Sequence, residues 1–318
     1  MTSQNTALQQ PSPAHLRAVL TALPALCKLR VNSLIVFTAL IGMWLAPGES
    51  TRWPAMLAAT LGIGLVACAA AAINCLVERT VDARMARTRH RPLPQGRIAA
   101  GEALLVALAL GAAGLTILRL WTNPLTLWLT LGTFLGYALV YTALLKPATP
   151  MNIVIGGASG AMPPLLGWTA MTGQIGPEPL ALFLIIFLWT PPHFWALAMA
   201  RREDYARAGF PMLPITHGLP LTCLHSLLYV VMLTGASFLP LTLGMAGMGY
   251  GLAVAALDAV FLSHAWHLWR HYDDRRSWRM FRWSIIYLSA LFAALFLDPL
   301  LTSAARGLAH AMPVLQGG

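Results

Sequence analysis

The chain has 318 residues, of which 58% are hydrophobic and only 10% are charged. A soluble domain has roughly 25% charged residues, so the composition excludes an ordinary soluble protein and indicates a chain embedded in a bilayer. Lys and Arg number 21 against 11 Asp and Glu, a formal charge of +10. In a membrane protein such an excess is a topological signal, so we expect the lipid bilayer and no nucleic acid among the partners.

The first 26 residues are polar and then weakly amphipathic, with Arg17 as the one charged residue. They lack the charged start, apolar core and small-residue cleavage site of a secretory signal, which predicts a cytoplasmic tail. The chain therefore divides into an N-terminal tail (1–26), a membrane domain (27–302) and a short C-terminal tail (303–318).

Nine apolar runs follow, most of them near the ~20 residues that a helix needs to cross a bilayer. They are 31–45, 53–77, 101–118, 125–145, 152–171, 180–200, 219–243, 249–269 and 283–301. Because lipid offers no partners to backbone groups and no alternating strand pattern is visible, the sequence predicts an all-α bundle of nine transmembrane helices.

Cations fall almost entirely on one side of this layout. The segments after the second, fourth, sixth and eighth runs hold the cations of 79–97, 146, 201–207 and 270–282, whereas the other connections hold only Arg52 and Arg119. The positive-inside rule then places the N-terminus in the cytoplasm and the C-terminus outside.

Acidic residues are scarce, and a group of them follows the second run. Asn74, Glu78 and Asp82 are spaced i, i+4, i+8, so on a helix they emerge from one stripe. Mg²⁺ takes one or two carboxylates plus phosphate oxygens, which makes the stripe a candidate holder of a metal diphosphate. The alternative is a helix end that frays into a solvated basic loop. The cations that follow are able to bind phosphate: Arg84, Arg87, Arg89 and Arg91.

A second acidic group follows the sixth run, on the same predicted membrane face. There Glu203, Asp204 and Tyr205 come just after the run, and two metal ions could then hold one diphosphate from both sides. Tyr141 and Lys146 lie at the same membrane edge, placed to contact phosphate. The alternative for this pair is an interfacial anchor and a snorkelling cation.

Three stretches carry a family resemblance: NCLVERTVDARMARTRHRPLPQGRI, YTALLKPATPMNIVIGGASGAMPPLLGW and LWTPPHFWALAMARREDYARAGFPMLP. With the nine-run layout, they resemble the UbiA-type intramembrane prenyltransferase superfamily and, within it, the protohaem IX farnesyltransferase (haem O synthase) branch. The similarity extends over about residues 28–299.

The resemblance implies transfer of a farnesyl group from farnesyl diphosphate to a vinyl group of haem B, with addition of water, to give haem O. Mg²⁺ is the implied cofactor, and haem B is a substrate. The implied location is the bacterial inner membrane, with the active site facing the cytoplasm. Contact with a haem A synthase or a terminal oxidase is left open.

The resemblance also assigns roles residue by residue. The implied metal ligands are Asn74, Glu78, Asp82 and Asp204, with Glu203 as a substitute ligand; the implied diphosphate contacts are Arg87, Arg91 and Lys146, with Tyr141 nearby, and these four are the predicted catalytic residues. The predicted substrate-binding residues are Asn74, Arg84, His193 and Tyr205. Two positions depart from the family pattern. Glu78 stands where Asp is common, and Ala208 stands where many members have a second carboxylate.

Further polar residues lie in the predicted spans. His193 in TPPHFW is the candidate for contact with the porphyrin, and its alternative is a hydrogen bond to backbone freed by Pro191 and Pro192. Asp258 is expected to face the bundle interior. The set His264, His267 and His271 shares one helix face, either as a haem or metal contact or as an interfacial polar stripe.

Two other functions remain open at this point. A superfamily member that prenylates a quinone precursor would keep the diphosphate residues but should lack TPPHFW and PMLP. A secondary transporter would have acids distributed through the spans and interrupted helices in both halves. The acids here gather at one membrane edge, which favours an enzyme.

Overall fold

The computed structural model describes residues 13–48 and 53–311, and all regular secondary structure in these two ranges is helical. The first half contains α1 (Pro13–Leu26), α2 (Leu29–Leu45), α3 (Trp53–Val77), α4 (Arg79–Asp82), α5 (Ala100–Trp121), α6 (Pro124–Leu135), a π-helix (Gly136–Leu145), α7 (Lys146–Ala148) and α8 (Asn152–Thr172). The second half contains α9 (Pro177–Ala200), α10 (Arg202–Ala208), α11 (Leu213–Thr216), α12 (Gly218–Ser237), α13 (Leu239–Thr242), α14 (Met248–Arg270) and α15 (Asp274–Ala311).

Within the described ranges, seven helices are long and apolar enough to cross a membrane, and the number is eight if a bent pair is counted as one span. The bent pair is Val19–Leu26 with Leu29–Leu45, at an angle of 55°. The prediction of an all-α, multi-pass membrane protein is confirmed. The count of nine and the orientation of the termini stay predictions, because α8 occupies the fifth predicted span but is not among the seven.

The outer surface of the bundle fits a lipid environment. Large apolar side chains such as Leu105, Leu120 and Trp128 are more than half exposed. In a soluble protein a surface of this kind would drive aggregation, whereas acyl chains accommodate it.

The two predicted tails lie partly outside the described ranges. Residues 1–12 of the predicted N-terminal tail are not described, and α1 occupies the remainder. The cation Arg52 and residues 312–318 also lie outside the described residues. The bounds of the three predicted segments stay predictions.

The core of the second half is aromatic, and this half contains two buried carboxylates, Asp258 and Asp298. The helices α9, α12, α14 and α15 pack together, and the side chains of Tyr287, Phe261 and Phe292 are fully buried among them. Asp258 faces this interior, as predicted. Its two oxygens accept hydrogen bonds of 2.7 Å from Ser237 Oγ and Tyr287 Oη, partners that the sequence did not identify.

Two irregularities position the polar end of the first half. Lys28 joins α1 to α2 in the left-handed region, at φ 48° and ψ 50°, and so produces the bend between them. The π-helix Gly136–Leu145 carries Tyr141, whose ring lies so close to Gly156 of α8 that no side chain fits there. Insertions of this kind in a helix often mark functional sites.

Candidate active site

The first acidic group forms one continuous stripe at the end of α3. Asn74 lies in the last turn of α3, and the backbone bonds Glu78 N to Asn74 O (3.0 Å) and Asp82 N to Glu78 O (2.8 Å) continue the helical pattern. The three side chains therefore share one face, as the spacing predicts. All three residues are buried, with 2%, 7% and 3% exposure respectively. A solvated, frayed helix end would have left them exposed.

Each member of this stripe contacts a different cation. Lys28 Nζ donates to Asn74 Oδ1. Lys146 Nζ donates to Glu78 Oε1 at 2.5 Å, and Arg91 Nη1 donates to Asp82 Oδ2 at 2.7 Å. The ammonium and guanidinium groups thus compensate the buried acids, which would otherwise be costly to desolvate.

Hydrogen bonds within the stripe hold Asn74 and Glu78 in a fixed relation. Asn74 Nδ2 donates to Glu78 Oε1 at 2.9 Å and to Thr142 Oγ1 of the π-helix at 3.2 Å. Burial raises the pKa of Glu78, but the charges of Lys146 and Lys28 and the hydrogen bonds from Lys146 and Asn74 together outweigh it, so the net pKa is lowered. Glu78 is therefore an anion at neutral pH.

The second acidic group lies on α10, directly after α9. Asp204 accepts from Arg207 Nη2 at 2.6 Å and from Arg201 Nη1 at 3.4 Å. Glu203 is exposed and makes no side-chain contact with any residue in the described ranges. Its predicted role as a substitute metal ligand stays a prediction.

The two acidic segments are joined by a shared apolar cluster. Met85, three residues after Asp82, packs in the same buried cluster as Tyr205, which follows Asp204. Lys146 Nζ also lies 4.7 Å from the centre of the Phe210 ring, just beyond α10. The stripe and α10 therefore lie at the same end of the bundle, and Lys146 contacts both regions.

The other predicted phosphate contacts have different surroundings. Arg84 and Arg87 are exposed and have no side-chain partner among the described residues. Tyr141 lies on the π-helix with its ring 5.5 Å from that of Tyr137. Arg91 is the member of the arginine series that contacts the stripe.

His193 is packed rather than open. Its ring is stacked between Trp189 and Phe281, at centroid distances of 4.2 and 4.8 Å, and its Nδ1 lies 2.7 Å from Ser284 Oγ. The partner of Nδ1 is thus a hydroxyl group and not the freed backbone of the alternative interpretation. Contact with a porphyrin stays a prediction.

The histidines of α14 do not converge on one ligand. His264 lies beside Trp283, with ring centroids 5.9 Å apart, and His267 Nδ1 bonds to the carbonyl of Ser263 at 2.7 Å. His271 is exposed at the end of the helix. No group of three His, Cys, Asp or Glu side chains suited to a metal occurs in the described ranges.

The stripe nonetheless has the donor chemistry that Mg²⁺ prefers. It offers two carboxylates and one amide oxygen, all buried, and no nitrogen or sulfur ligands. Mg²⁺ normally completes such a set with waters and substrate phosphates, so three protein side chains from one stripe are sufficient. The residues fit the ion.

Sequence reasoning missed two contributors to this site, Lys28 and Thr142. Both lie far from Asn74 in the chain, by 46 and 68 residues, and both contact its side chain. A lysine before an apolar run is typical of a topological signal, and a threonine in a span is typical of helix packing. Neither pattern by itself indicates a site.

Sequence comparison identifies relatives over most of the chain. A protein named protoheme IX farnesyltransferase from Dechloromonas aromatica is 62% identical over 89% of this chain and 95% of the relative. A protein of the same name from Thiobacillus denitrificans is 61% identical over 86% of this chain and 92% of the relative. The predicted resemblance to that branch is confirmed.

Solved structures show the same fold at low sequence identity. A digeranylgeranylglyceryl phosphate synthase structure superposes with a TM-score of 0.75 at 20% identity, covering 88% of this chain and 98% of the other. A UbiA homologue from Archaeoglobus fulgidus, solved with GPP and Mg²⁺, gives 0.59 at 15% identity, covering 88% and 99%.

The sequence model of the UbiA prenyltransferase family matches residues 35–295. This range contains the stripe, the π-helix and α10, so the match includes the whole candidate site apart from Lys28. It confirms the predicted enzyme class, prenyltransferase, and leaves no support for the transporter alternative. The chain belongs to the UbiA prenyltransferase family.

Proposed function

We propose that this chain transfers a farnesyl group from farnesyl diphosphate to a vinyl group of protohaem IX, with water addition, to give haem O. The observation that carries the proposal is the buried stripe of Asn74, Glu78 and Asp82, each paired with a cation, at one end of an apolar bundle. The relatives named protoheme IX farnesyltransferase, 54–62% identical to this chain, support the choice of acceptor.

In this proposal the cations of the stripe bind the diphosphate. Lys146 and Arg91 are held by carboxylates in the free protein, so they are already oriented when the substrate arrives. Asn74, Glu78 and Asp82 would hold one Mg²⁺, and Asp204 would contribute to a second. The chemistry that Mg²⁺ supplies when bound is neutralisation of the charge that develops on the leaving diphosphate.

The apolar residues below the stripe would protect the farnesyl cation. A carbocation persists only where water is excluded. Ile153, Trp195 and Met212 form part of the buried cluster that joins the stripe to α10, directly beside the proposed diphosphate site. Attack by the vinyl carbon needs no general base, and a water molecule quenches the resulting cation.

We also propose the finer topology that the charges predict. Nine spans, with α8 as the fifth, place the N-terminus and the stripe on the cytoplasmic side of the bacterial inner membrane, and the C-terminus outside. The basic segments 79–97, 201–207 and 270–282 support this orientation. Contact with a haem A synthase or a terminal oxidase rests on the resemblance alone.

Membranes that contain the full chain provide the test. With haem B, farnesyl diphosphate and Mg²⁺ they should produce haem O, identified by mass spectrometry. Asp82→Ala and Asp204→Ala should insert normally and lose at least about 10²-fold in rate. Asp273→Asn is the matched control, because its pairing with Arg276 lies outside the proposed site.

The acceptor is tested in the same membranes. Replacement of haem B by 4-hydroxybenzoate, a quinone precursor, should give no prenylated product. A prenylated benzoate without haem O would establish the quinone alternative instead. Full activity of both aspartate variants would remove the metal assignment while leaving the acceptor intact.

A further inference from the structure

A cavity of about 910 Å³ opens beside the stripe, between the α1–α2 bend and the loop after α4. This volume is at the upper end of the range for small-molecule sites. Lys28 and Arg91 form part of its wall, and these are the cations that contact Asn74 and Asp82. The cavity and the proposed diphosphate site therefore share two side chains and are direct neighbours.

Two further arginines of the cavity have no partner among the described residues. Arg30, Arg97 and His90 also line it, and all three are exposed. Neither arginine side chain has a hydrogen-bond or ion-pair partner in the described part of the chain, and none of the described lining residues is acidic. Two free guanidinium groups form a site suited to carboxylates, which they bind bidentately.

Apolar side chains also line the cavity. Leu29 and Val31, on either side of Arg30 at the start of α2, are 50% and 59% exposed. A ligand that fills the cavity would thus place an anionic edge on the arginines and an apolar body against Leu29 and Val31. The proposed function assigns the phosphates of farnesyl diphosphate to the stripe, so the cavity is left for the other substrate.

We propose that this cavity binds the propionate edge of the haem substrate, with Arg30 and Arg97 each holding one carboxylate. The inference rests on the proposed function. Haem B carries its two propionates on one edge of the macrocycle and its two vinyl groups towards the other. Propionates held on the arginines leave the vinyl edge free to extend towards the stripe, where the farnesyl cation forms.

A phospholipid head group shares this chemistry, being an anion on an apolar body. Lys28 and Arg91 line the cavity and also contact the stripe, and this favours haem over a lipid. The acceptor of the farnesyl group must lie next to the diphosphate site, whereas a structural lipid can bind elsewhere. A second basic cavity, of about 600 Å³, is lined by Arg275, Trp278, Arg279 and Arg282. None of these four residues touches the stripe, so this cavity provides a matched control.

The test is a haem B titration of the purified full chain in neutral detergent, followed by the Soret absorbance. Arg30→Gln/Arg97→Gln should weaken haem binding about tenfold or more, whereas Arg275→Gln/Arg279→Gln should leave it unchanged. The KM for farnesyl diphosphate should be the same in all three proteins. Haem dimethyl ester should bind the wild type and the Arg30/Arg97 variant with equal affinity, since it has no carboxylates.

Equal haem affinity of the wild type and the Arg30/Arg97 variant would overturn the proposal. An equal loss of haem affinity in the Arg275→Gln/Arg279→Gln control would also overturn it. If added phosphatidylglycerol, at constant haem, abolished the difference in haem affinity between the wild type and the Arg30/Arg97 variant, the cavity would be a lipid site instead. Monodispersity on size exclusion confirms folding, and Arg30→Lys/Arg97→Lys, which restores the charges, should recover most of the affinity. The titration does not depend on turnover, so a wild type that binds haem but makes no haem O would refute only the proposed function.

Discussion

Lys146→Met is the substitution that most directly tests the paired stripe. Lys146 Nζ lies 2.5 Å from Glu78 Oε1, and the two side chains are only 15% and 9% exposed. Methionine retains the apolar stem but removes the charge, so Glu78 becomes a buried carboxylate with Asn74 as its remaining hydrogen-bond donor. Breaking a buried pair in this way costs about 3–5 kcal/mol of stability.

The catalytic loss should be similar in free energy to the loss of stability. Lys146 is one of the cations proposed to stabilise the leaving diphosphate, and removal of one such contact typically costs about 10²–10³-fold in rate. The measurement is haem O formation at saturating substrate, together with thermal unfolding in detergent. We expect a melting temperature lower by on the order of 5–10 °C.

A second variant separates the two effects. In Glu78→Gln/Lys146→Met both charges are removed, so the uncompensated carboxylate disappears and much of the stability should return. Activity should not return, because neither the cation nor the ligand is restored. Recovery of activity in the double variant, or a Lys146→Met enzyme within about threefold of wild type, would refute the assignment of Lys146 to the diphosphate.

Three further substitutions have defined outcomes. Gly156→Ala should displace the Tyr141 ring, which occupies the space of the new methyl group, and lower the rate of haem O formation about tenfold or more; a wild-type rate would contradict the close contact. Asp258→Ala should lower the melting temperature, because two buried hydroxyl donors lose their acceptor at about 1–3 kcal/mol, while the rate per folded molecule stays within about twofold. Lys28→Gly should cost no backbone strain, since glycine tolerates φ 48°, and should lower stability by about 1–3 kcal/mol through the lost hydrogen bond to Asn74. It should also raise the KM for farnesyl diphosphate; an unchanged KM would show that the Lys28 ammonium has no role in substrate binding.

The local geometry of the stripe could be predicted from the sequence because it depends only on the helical period. Asn74, Glu78 and Asp82 keep their common face although the α-helix is interrupted at Glu78, since the backbone hydrogen bonds continue through the interruption. The apolar runs likewise predicted helices at each position where a long helix occurs. The helical period and the hydropathy of a segment depend on its own residues alone, so they can be determined without knowledge of the tertiary contacts.

The π-helix could not be predicted, because its sequence differs little from that of an ordinary span. Thr142 Oγ1 donates to the carbonyl of Tyr137, five residues earlier, and also accepts from Asn74. The wider turn changes which side chains between 136 and 145 face α3. We attribute the wider turn to packing against α3 and α8, and a hydropathy profile of the sequence does not report such contacts.

Lys28 is a different case, because topology and electrostatics together could have identified it. Consecutive antiparallel spans place the start of one at the same membrane edge as the end of the next, so the residue before α2 must lie near the residues that end α3. Buried acids at that edge require cations to compensate the loss of hydration. Lys28 is the cation immediately before α2; its side chain contacts Asn74, and its charge attracts the nearby Glu78. The question that finds it is which cations surround the buried acids. The same question, asked of Arg30 and Arg97, finds two cations with no acidic partner among the described residues, which supports the proposed site for an anionic ligand.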